Sequence, residues 1–294
     1  MKNEDRAVQI VSHFFLFVFS LLCLLPFILL VSASLTSDKY IGMYGYSFFP
    51  GEWSLDAYRY LLLNWKMIGR AYLTSIGITA AGVVLSLFLT ATLSYPLSRR
   101  DLPHRGKFNF YVVFTMLFNG GLVPTYLIYT ELFHIKNTYW ALLIPTLLLN
   151  GFSVMIMRTY FSSSVPPELI DAAKIDGCGE VRAFFRIVLP TSLPILATVG
   201  LLSGLAYWND WYNGLIFLTS QKYYNLQNVL NRIMSDIQAL RSISTGATQI
   251  NGGNMPIDTV RMAIAAIAVL PIMIAFPFFQ KYFIKGITLG AVKG

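Results

Sequence analysis

Long apolar stretches separated by polar segments dominate the hydrophobic pattern of this chain. Several of them reach the roughly 20 residues that a helix needs to cross a hydrocarbon core. The strict alternation that marks the strands of a membrane barrel is absent, and only helices or closed barrels satisfy their backbone groups in lipid. The pattern therefore predicts an all-α membrane protein with six transmembrane helices, at about residues 10–30, 71–97, 110–132, 139–157, 193–218 and 262–279.

The polar segments suggest two parts. Residues 1–70 hold the first span and a polar outer segment, with a turn at Phe49–Gly51 and a short helix around Ser54–Leu63. Residues 71–294 hold the other five spans, which are rich in Gly, Ala, Ser and Thr, so that neighbouring helices can approach closely. We therefore expect a five-helix core behind a separate first helix.

The third predicted span contains the sequence NGGLVP at Asn119–Pro124. Paired glycines and a proline weaken or kink a helix. Irregular backbone at membrane depth is tolerated where it is buried in protein or lines a cavity. A packing kink and a role in a transport pathway both remain open for this segment.

The long outer loop, residues 219–258, begins with a predicted helix at about Asn225–Leu240 and ends in a polar stretch. Connections of this length are uncommon unless they are functional or disordered. The loop either meets an extracellular partner and caps the outer face, or is a variable connection.

Composition supports the membrane assignment, because 55% of the 294 residues are hydrophobic and 12% are charged, against roughly 25% charged residues in soluble domains. An even number of spans places both termini on one side. Basic residues concentrate on the cytoplasmic side of membrane proteins. In this chain they cluster in the N-terminus, the even-numbered loops and the tail: Lys2, Arg6, Arg99, Arg100, Arg105, Lys107, Arg158, Lys174, Arg182, Arg186, Lys281, Lys285 and Lys293.

These segments and both termini are therefore predicted to be cytoplasmic. The net charge of +8 follows from the same bias and does not indicate nucleic-acid binding. The first apolar run is longer than the roughly 7 to 15 residues of a signal-peptide core, so we expect it to be retained.

Motifs of catalysis are missing from the sequence. It contains no G-x-x-x-x-G-K-[ST], C-x-x-C or H-E-x-x-H pattern, and its three histidines lie in different segments. Cys23 and Cys178 fall in a span and a cytoplasmic loop, so no disulfide framework is expected. We expect a chain that is not an enzyme, holds no metal and depends on another chain for any energy source.

The loop at residues 161–190 contains the charged stretch PPELIDAAKIDGCGEVRAFFRIVLP. Ser164 can cap a helix whose first turn holds the two prolines. Gly177 allows the left-handed conformation that ends a helix. Ala172 and Ala173 would let another surface approach closely. The pattern predicts a short helix below the membrane that docks into a partner.

This stretch resembles the EAA loop of bacterial ABC importer permeases. The family pattern places a glycine four residues after the second alanine and ends in Ile-x-Leu-Pro. Here Asp171 replaces the usual glutamate and Cys178 replaces a small residue, while every spacing is kept. The resemblance implies that the following residues couple the chain to an ATPase: Glu168, Asp171, Ala172, Ala173, Asp176, Gly177, Ile187, Leu189 and Pro190.

The resemblance covers essentially the whole chain, and the segments GGLVPTYLIY, NTYWALLIPTLL, WNDWYNGLIFL and QKYFIKGITLGAVKG are similar to carbohydrate permeases of the maltose type. It implies a type I importer fold in the bacterial plasma membrane, surrounded by lipid. The implied partners are a second, different permease, two cytoplasmic ATPases, an extracellular solute-binding protein and a sugar, which the resemblance indicates is an oligosaccharide. ATP and Mg would bind to the partner subunits, which the tail at 290–294 could also contact, and this chain would bind no cofactor.

Asp210 is the clearest ionisable residue at membrane depth, where such residues are functional candidates. Aromatic faces and amides around it suit a sugar, but aromatic residues also crowd membrane interfaces. Sugar contact and an outer gate or structural role both stay open for this set: Asn119, Tyr207, Trp208, Asn209, Asp210, Trp211 and Asn213.

Two other classes of function would leave different marks in the sequence. A self-sufficient channel or ion-driven facilitator would require charged residues in several spans, and only Asp210 meets that requirement. An intramembrane enzyme would require a polar constellation at facing depths, which the sequence does not contain. The importer subunit is therefore the leading prediction.

Overall fold

The computed structural model describes residues 2–244 and 257–291. Residues 245–256 of the predicted outer loop and residues 292–294 of the tail lie outside the described residues. For residues 2–7, 167, 237–238, 240–244, 257, 278–279 and 281–291, only the backbone is considered.

Helices make up nearly all the regular structure, and the described residues form no strand beyond an isolated bridge between Thr36 and Trp53. The α-helices are α1 Lys2–Ser34, α2 Asp38–Tyr44, α3 Asp56–Leu63, α4 Trp65–Ser98, α5 Arg105–Leu117, α6 Leu122–Leu127, α7 Trp140–Leu143, α8 Gly151–Ser164, α9 Pro167–Ile175, α10 Glu180–Ala183, α11 Leu189–Thr191, α12 Leu193–Trp208, α13 Tyr212–Phe217, α14 Leu226–Ser244 and α15 Ile257–Ala291. Single π-helical turns cover Ile128–Leu132 and Phe184–Val188, and a 3₁₀ turn covers Gln221–Tyr223.

One compact unit comprises residues 1–69 and 230–271. Its short helix α3 confirms the helix predicted near Ser54. The Ser54 hydroxyl donates to the Asp56 carboxylate and accepts from the Asp56 backbone amide. A carboxylate oxygen of Asp38 accepts hydrogen bonds from the backbone amides of Asp258 and Thr259 at 2.8 and 3.2 Å. These amides belong to the first turn of α15, where they have no partner within the helix.

The second unit comprises residues 70–229 and 272–294. Here α4 and α12 pack closely through small residues, as the composition predicted. A side chain on Gly82 would begin only 2.5 Å from the ring of Tyr207, and one on Gly200 would begin 3.3 Å from Leu87. The hydroxyls of Ser86 and Ser203 lie 3.4 Å apart. The domain boundary predicted at residue 70 is not tested by this division and stays a prediction.

The third predicted span is not one straight helix. It divides into α5 and a second segment, which consists of α6 and the π turn that follows it. The two segments meet at residues 118–121 with a bend of 108°. The NGGLVP sequence predicted a weakened helix here. The backbone amide of Gly121 donates to the Asn119 side chain at 2.9 Å, and Gly121 has a φ of +87°. Glycine adopts this conformation without the steric cost that other residues meet.

The prediction of one continuous helix at 139–157 is wrong. Helix α7 ends at Leu143, irregular backbone follows, and α8 begins at Gly151. Pro145 cannot donate a helical hydrogen bond, and the Asn150 side chain caps α8 by accepting from the amide of Ser153. A local cap and a proline thus override the apolar composition of this stretch.

The span at 193–218 is also broken, because α12 ends at Trp208 and α13 begins at Tyr212. In the described residues, three helices are long and apolar enough to cross a membrane, within α1, α4 and α15. The number becomes five if each of two bent helix pairs counts as one span. The count of six spans and the cytoplasmic orientation of the termini stay predictions.

Candidate functional site

The predicted coupling loop contains the expected short helix, α9, followed by a sharp stop. The amide of Cys178 donates to the carbonyl of Ala173 at 2.8 Å, and that of Gly177 donates to Lys174 at 3.0 Å. These paired bonds, with Gly177 at a φ of +77°, form the Schellman motif that glycine favours at helix ends. The glycine stop is therefore confirmed.

The predicted start of this helix is wrong in detail. Ser164 belongs to the last turn of α8, and Pro166 occupies the N-cap of α9 without a side-chain hydrogen bond. Pro167 stands in the first turn, where its missing amide has no cost. The chain therefore turns from α8 into α9 through Val165 and Pro166, both extended.

We call residues 166–190 the coupling segment. Most of its predicted docking residues are open to solvent in this chain: Glu168, Asp171, Ala172, Asp176, Gly177 and Pro190 are exposed, and Ala173, Ile187 and Leu189 are partly so. Four large apolar side chains are also exposed, Leu169, Ile175, Val181 and Phe185, and the most exposed are Ile175 at 88% and Val181 at 73%. These side chains are accessible to a partner, since this chain does not bury them.

Buried residues anchor the coupling segment to the membrane helices. Ile170, Phe184 and Val188 are buried, and they join an apolar cluster with Ala91 of α4 and Val199 of α12. The ring of Phe184 lies 5.1 Å from that of Tyr95. The segment is thus exposed on one side and packed against α4 and α12 on the other.

A group of charged residues joins α9 to the end of α4, and the sequence analysis missed it. We call Tyr95, Arg99, Asp101, Lys174 and Glu180 the charge cluster. Lys174 Nζ lies 2.6 Å from a Glu180 carboxylate oxygen, and the Tyr95 hydroxyl donates to the other at 2.8 Å. Lys174 and Glu180 are six residues apart across a glycine turn, so no helical spacing could have signalled their contact.

Arg99 completes the cluster from the end of α4. Its Nε and Nη2 donate to the two carboxylate oxygens of Asp101, both at 3.0 Å. This paired bond from Arg99 lowers the pKa of Asp101, so the interaction is present above the carboxyl's ordinary pKa and is lost on stronger acidification. Asp101 also lies 3.9 Å from Lys174 Nζ, and Arg99 lies 3.9 Å from Glu180.

Two of the residues predicted with Asp210 are tied to the backbone where the fourth predicted span breaks. The Tyr207 hydroxyl donates to the carbonyl of Leu143 at 2.8 Å, and the Asn213 amide donates to that of Pro145 at 3.1 Å. Both side chains are buried. Asp210 accepts from the backbone amide of Asn213 at 3.1 Å and so caps α13.

Two asparagines that the sequence analysis did not select extend this group. The Asn225 side chain donates to the carbonyl of Asp210, and that of Asn228 donates to the carbonyl of Trp211 at 2.6 Å. Asn225 also accepts from the amide of Asn228, which caps the start of α14. We call Tyr207, Asp210, Asn213, Asn225 and Asn228 the polar cluster. These residues are too far apart in sequence for a local pattern to predict the cluster.

The remaining predicted pathway residues are not brought into this cluster. Asn209 and Trp211 are exposed. The Asn209 side-chain amide donates to the carbonyl of Leu205, and Trp211 meets the cluster through its backbone carbonyl alone among the described contacts. Trp208 is buried, with its ring 5.8 Å from that of Tyr72. Asn119 is exposed at the bend after α5. The pathway role of all these residues stays a prediction.

Residues 104–289 match the family described as the binding-protein-dependent transport system inner membrane component. They include the coupling segment and the polar cluster. The chain belongs to this family. It is therefore an inner membrane component of a transport system, and we call it the permease below.

Curated relatives extend the similarity over the whole permease. It is 37% identical over 295 residues to the polygalacturonan/rhamnogalacturonan transport system permease protein YtcP of Bacillus subtilis (strain 168), covering 100% of both chains. It is 35% identical to Protein LplC of the same strain, covering 99% of this chain and 97% of that one.

A solved structure gives the same result for the fold. The permease matches a chain of the crystal structure of a bacterial ABC transporter involved in the import of the acidic polysaccharide alginate, with a TM-score of 0.80 and 29% identity. The match covers 95% of this chain and 98% of that chain. The permease fold predicted from the coupling loop is therefore confirmed, while the count of spans is not settled by it.

Proposed function

We propose that this permease is one of two different membrane subunits of an ATP-driven oligosaccharide importer, and that α9 docks into a cytoplasmic ATPase subunit. The observation that carries the proposal is the coupling segment, which exposes Ala172 and Ile175 on a short helix anchored to α4 and α12. Covering a side chain such as Ile175 in a partner would contribute about 1.5–3 kcal/mol. Two ATPases, one for each permease, would hold ATP and Mg.

The proposed mechanism needs no chemistry from this chain. When ATP draws the ATPases together, the docked helices move with them and rock the two permeases from an inward-facing to an outward-facing state. Coupling is reciprocal in free energy, so the outward state must favour ATP binding as much as ATP favours that state. An extracellular binding protein would deliver the sugar to the outward state.

We further propose that the cargo is an oligosaccharide carrying carboxylates. Two similar proteins support this class, since one is a polygalacturonan/rhamnogalacturonan transport permease and the other belongs to a transporter involved in the import of the acidic polysaccharide alginate. Basic side chains at the predicted outer face would attract such a cargo. Among them, Lys136 and Lys222 lie 5.7 and 5.3 Å from the ring centres of Tyr126 and Tyr223.

The second membrane subunit is proposed from the bend after α5. Phe118, Asn119, Gly120 and Gly121 are all exposed in this chain. Lipid offers no partners to the backbone groups of such a bend that are not bonded within the chain. A second permease or a water-filled pathway at the interface would provide them.

The proposal is tested by purifying the permease with its associated proteins from membranes. The unaltered chain and Ala172→Ser should retain an ATPase, because serine is also small. Ala172→Arg should insert normally but lose the ATPase, since a long charged side chain prevents close approach. Full retention of the ATPase, with unchanged hydrolysis, by Ala172→Arg would exclude docking through α9.

A further inference from the structure

Helix α9 is anchored at one end only. Ile170, in its first half, is 4% exposed and packs into the apolar cluster. Of the seven residues from Asp171 to Gly177, six are exposed and Ala173 is partly so. Five of the nine predicted docking residues therefore lie in the second half of α9 and the turn after it, where no side chain is buried within this chain: Asp171, Ala172, Ala173, Asp176 and Gly177.

The turn that follows holds this half through backbone hydrogen bonds rather than through packed side chains. Gly177 and Gly179 flank Cys178 between α9 and α10, and glycine leaves the backbone conformationally free. A side chain at either glycine would meet no atom within 4 Å. The turn is thus open rather than packed.

Lys174 provides the connection that packing does not. In the described part of the chain, it is the residue of 171–177 whose side chain forms ion pairs with other elements. Its partners are Glu180 at the start of α10 and Asp101 after α4. Arg99, at 16% side-chain exposure, holds Asp101 with two parallel bonds, and such paired geometry is more specific than a single contact.

The size of the effect depends on the network rather than on one ion pair. An exposed pair contributes about 0–1 kcal/mol, and geometry or a network of charges raises its importance. Glu180 meets Lys174, Tyr95 and Arg99 together. The contacts therefore fix where the free half of α9 lies relative to α4, while contributing little to global stability.

We infer that the charge cluster makes the docking half of α9 move as one body with α4, so that Lys174 and Glu180 are positioning residues for coupling. The inference rests on the proposed docking of α9. Without the cluster, an ATPase would still bind α9 but would move it independently of α4. Docking and coupling are thereby separable.

Charge exchange tests this inference in the complete transporter. Lys174→Glu places a third acid beside Glu180 and Asp101, and Glu180→Lys places a third base beside Lys174 and Arg99. The double variant restores an opposite pair between positions 174 and 180. Each single variant should retain the ATPase. Its ratio of stimulated to basal ATP hydrolysis should fall by about fivefold or more. Stimulation is measured with short oligogalacturonides and the cognate binding protein. The double variant should recover much of the ratio, and Lys107→Met, at an exposed lysine outside the cluster, should match the unaltered chain.

A distance measurement gives a second readout that requires neither cargo nor ATPase. Spin labels are placed at Val84 on α4 and Ile175 on α9, which are 66% and 88% exposed, after both native cysteines are replaced by serine. In the full chain in nanodiscs, one narrow distance distribution is expected. Each single charge reversal should broaden it, and the double variant should narrow it again.

The outcomes separate this inference from the proposed function. Loss of the ATPase from the unaltered chain would overturn docking itself. The positioning role alone would be overturned if the unaltered chain docks and its ATP hydrolysis is stimulated, and the single variants show the same stimulation and the same narrow distance distribution. A double variant no better than the worse single variant would also contradict it.

Discussion

The coupling segment and the polar cluster have opposite designs. Charged and amide side chains are prominent in both regions, but Asp171, Ala172 and Ile175 face solvent, whereas Tyr207, Asn213 and Asn225 are buried. Most hydrogen bonds of the polar cluster end on backbone carbonyls or amides of this chain. The side chains of the coupling segment are therefore available to another molecule, whereas those of the polar cluster form many of their hydrogen bonds within this chain.

Because of this difference, substitutions in the two regions should affect different properties of the permease. A buried donor must find an acceptor or incur a desolvation cost of about 1–3 kcal/mol, so Tyr207 and Asn213 have a structural function whatever else they do. No comparable requirement keeps Ala172 small and exposed. Changes in the polar cluster should therefore act on stability, and changes on the open face of α9 should act on association.

The largest expected effect on stability comes from Gly82→Val. A side chain there would meet the Tyr207 ring at 2.5 Å, and that ring is 2% exposed and held by its bond to Leu143. Overpacking of this kind costs about 1–3 kcal/mol. Thermal unfolding in detergent should show a clear fall in melting temperature.

Gly77→Ala is the matched control on the same helix, because nothing lies within 4 Å of the added carbon. It should melt at or above the temperature of the unaltered chain. Equal melting temperatures for Gly82→Val and Gly77→Ala would show that α4 and Tyr207 are not packed as described.

A smaller effect is expected from Gly177→Ala in the coupling segment. The substitution meets no neighbouring atom, but a non-glycine residue in the left-handed conformation costs about 1–2 kcal/mol. The stop of α9 should loosen locally, weakening ATPase retention while leaving the melting temperature nearly unchanged. Quantifying the ATPase recovered per permease, by protein staining, measures this.

Gly179→Ala provides the comparison, since Gly179 has a φ of −70° that alanine adopts readily. Its ATPase recovery should equal that of the unaltered chain. If both alanine variants behave alike, the left-handed turn at Gly177 has no part in docking.

Sequence patterns predicted local structure well where the signal was local. Gly177 marked the end of α9, and the apolar runs located α1, α4 and α15 despite errors at their ends. The fourth span failed because Pro145 and Asn150 act locally against a uniformly apolar composition. Ser164 was misplaced because α8 continues through it.

Contacts between distant residues could not be predicted in the same way. Lys174 and Glu180 meet across a glycine turn, and Asn225, just before α14, reaches Asp210 between α12 and α13, so no helical period connects the members of either pair. Helix propensity and hydrophobic pattern describe neighbours along the chain, whereas both clusters depend on how the helices pack. The coupling loop was recognised because its whole pattern is continuous in sequence.

Site-specific photo-crosslinking tests the central claim most directly. A photoreactive amino acid is placed at Ile175 on α9 and, as a control, at Val84 on α4, both highly exposed. The account predicts that Ile175 crosslinks in living cells to a protein containing the phosphate-binding motif G-x-x-x-x-G-K-[ST], and that Val84 does not. The account would be contradicted if the probe at Ile175 never captures such a protein. It would also be contradicted if the probe at Val84 captures that protein equally well.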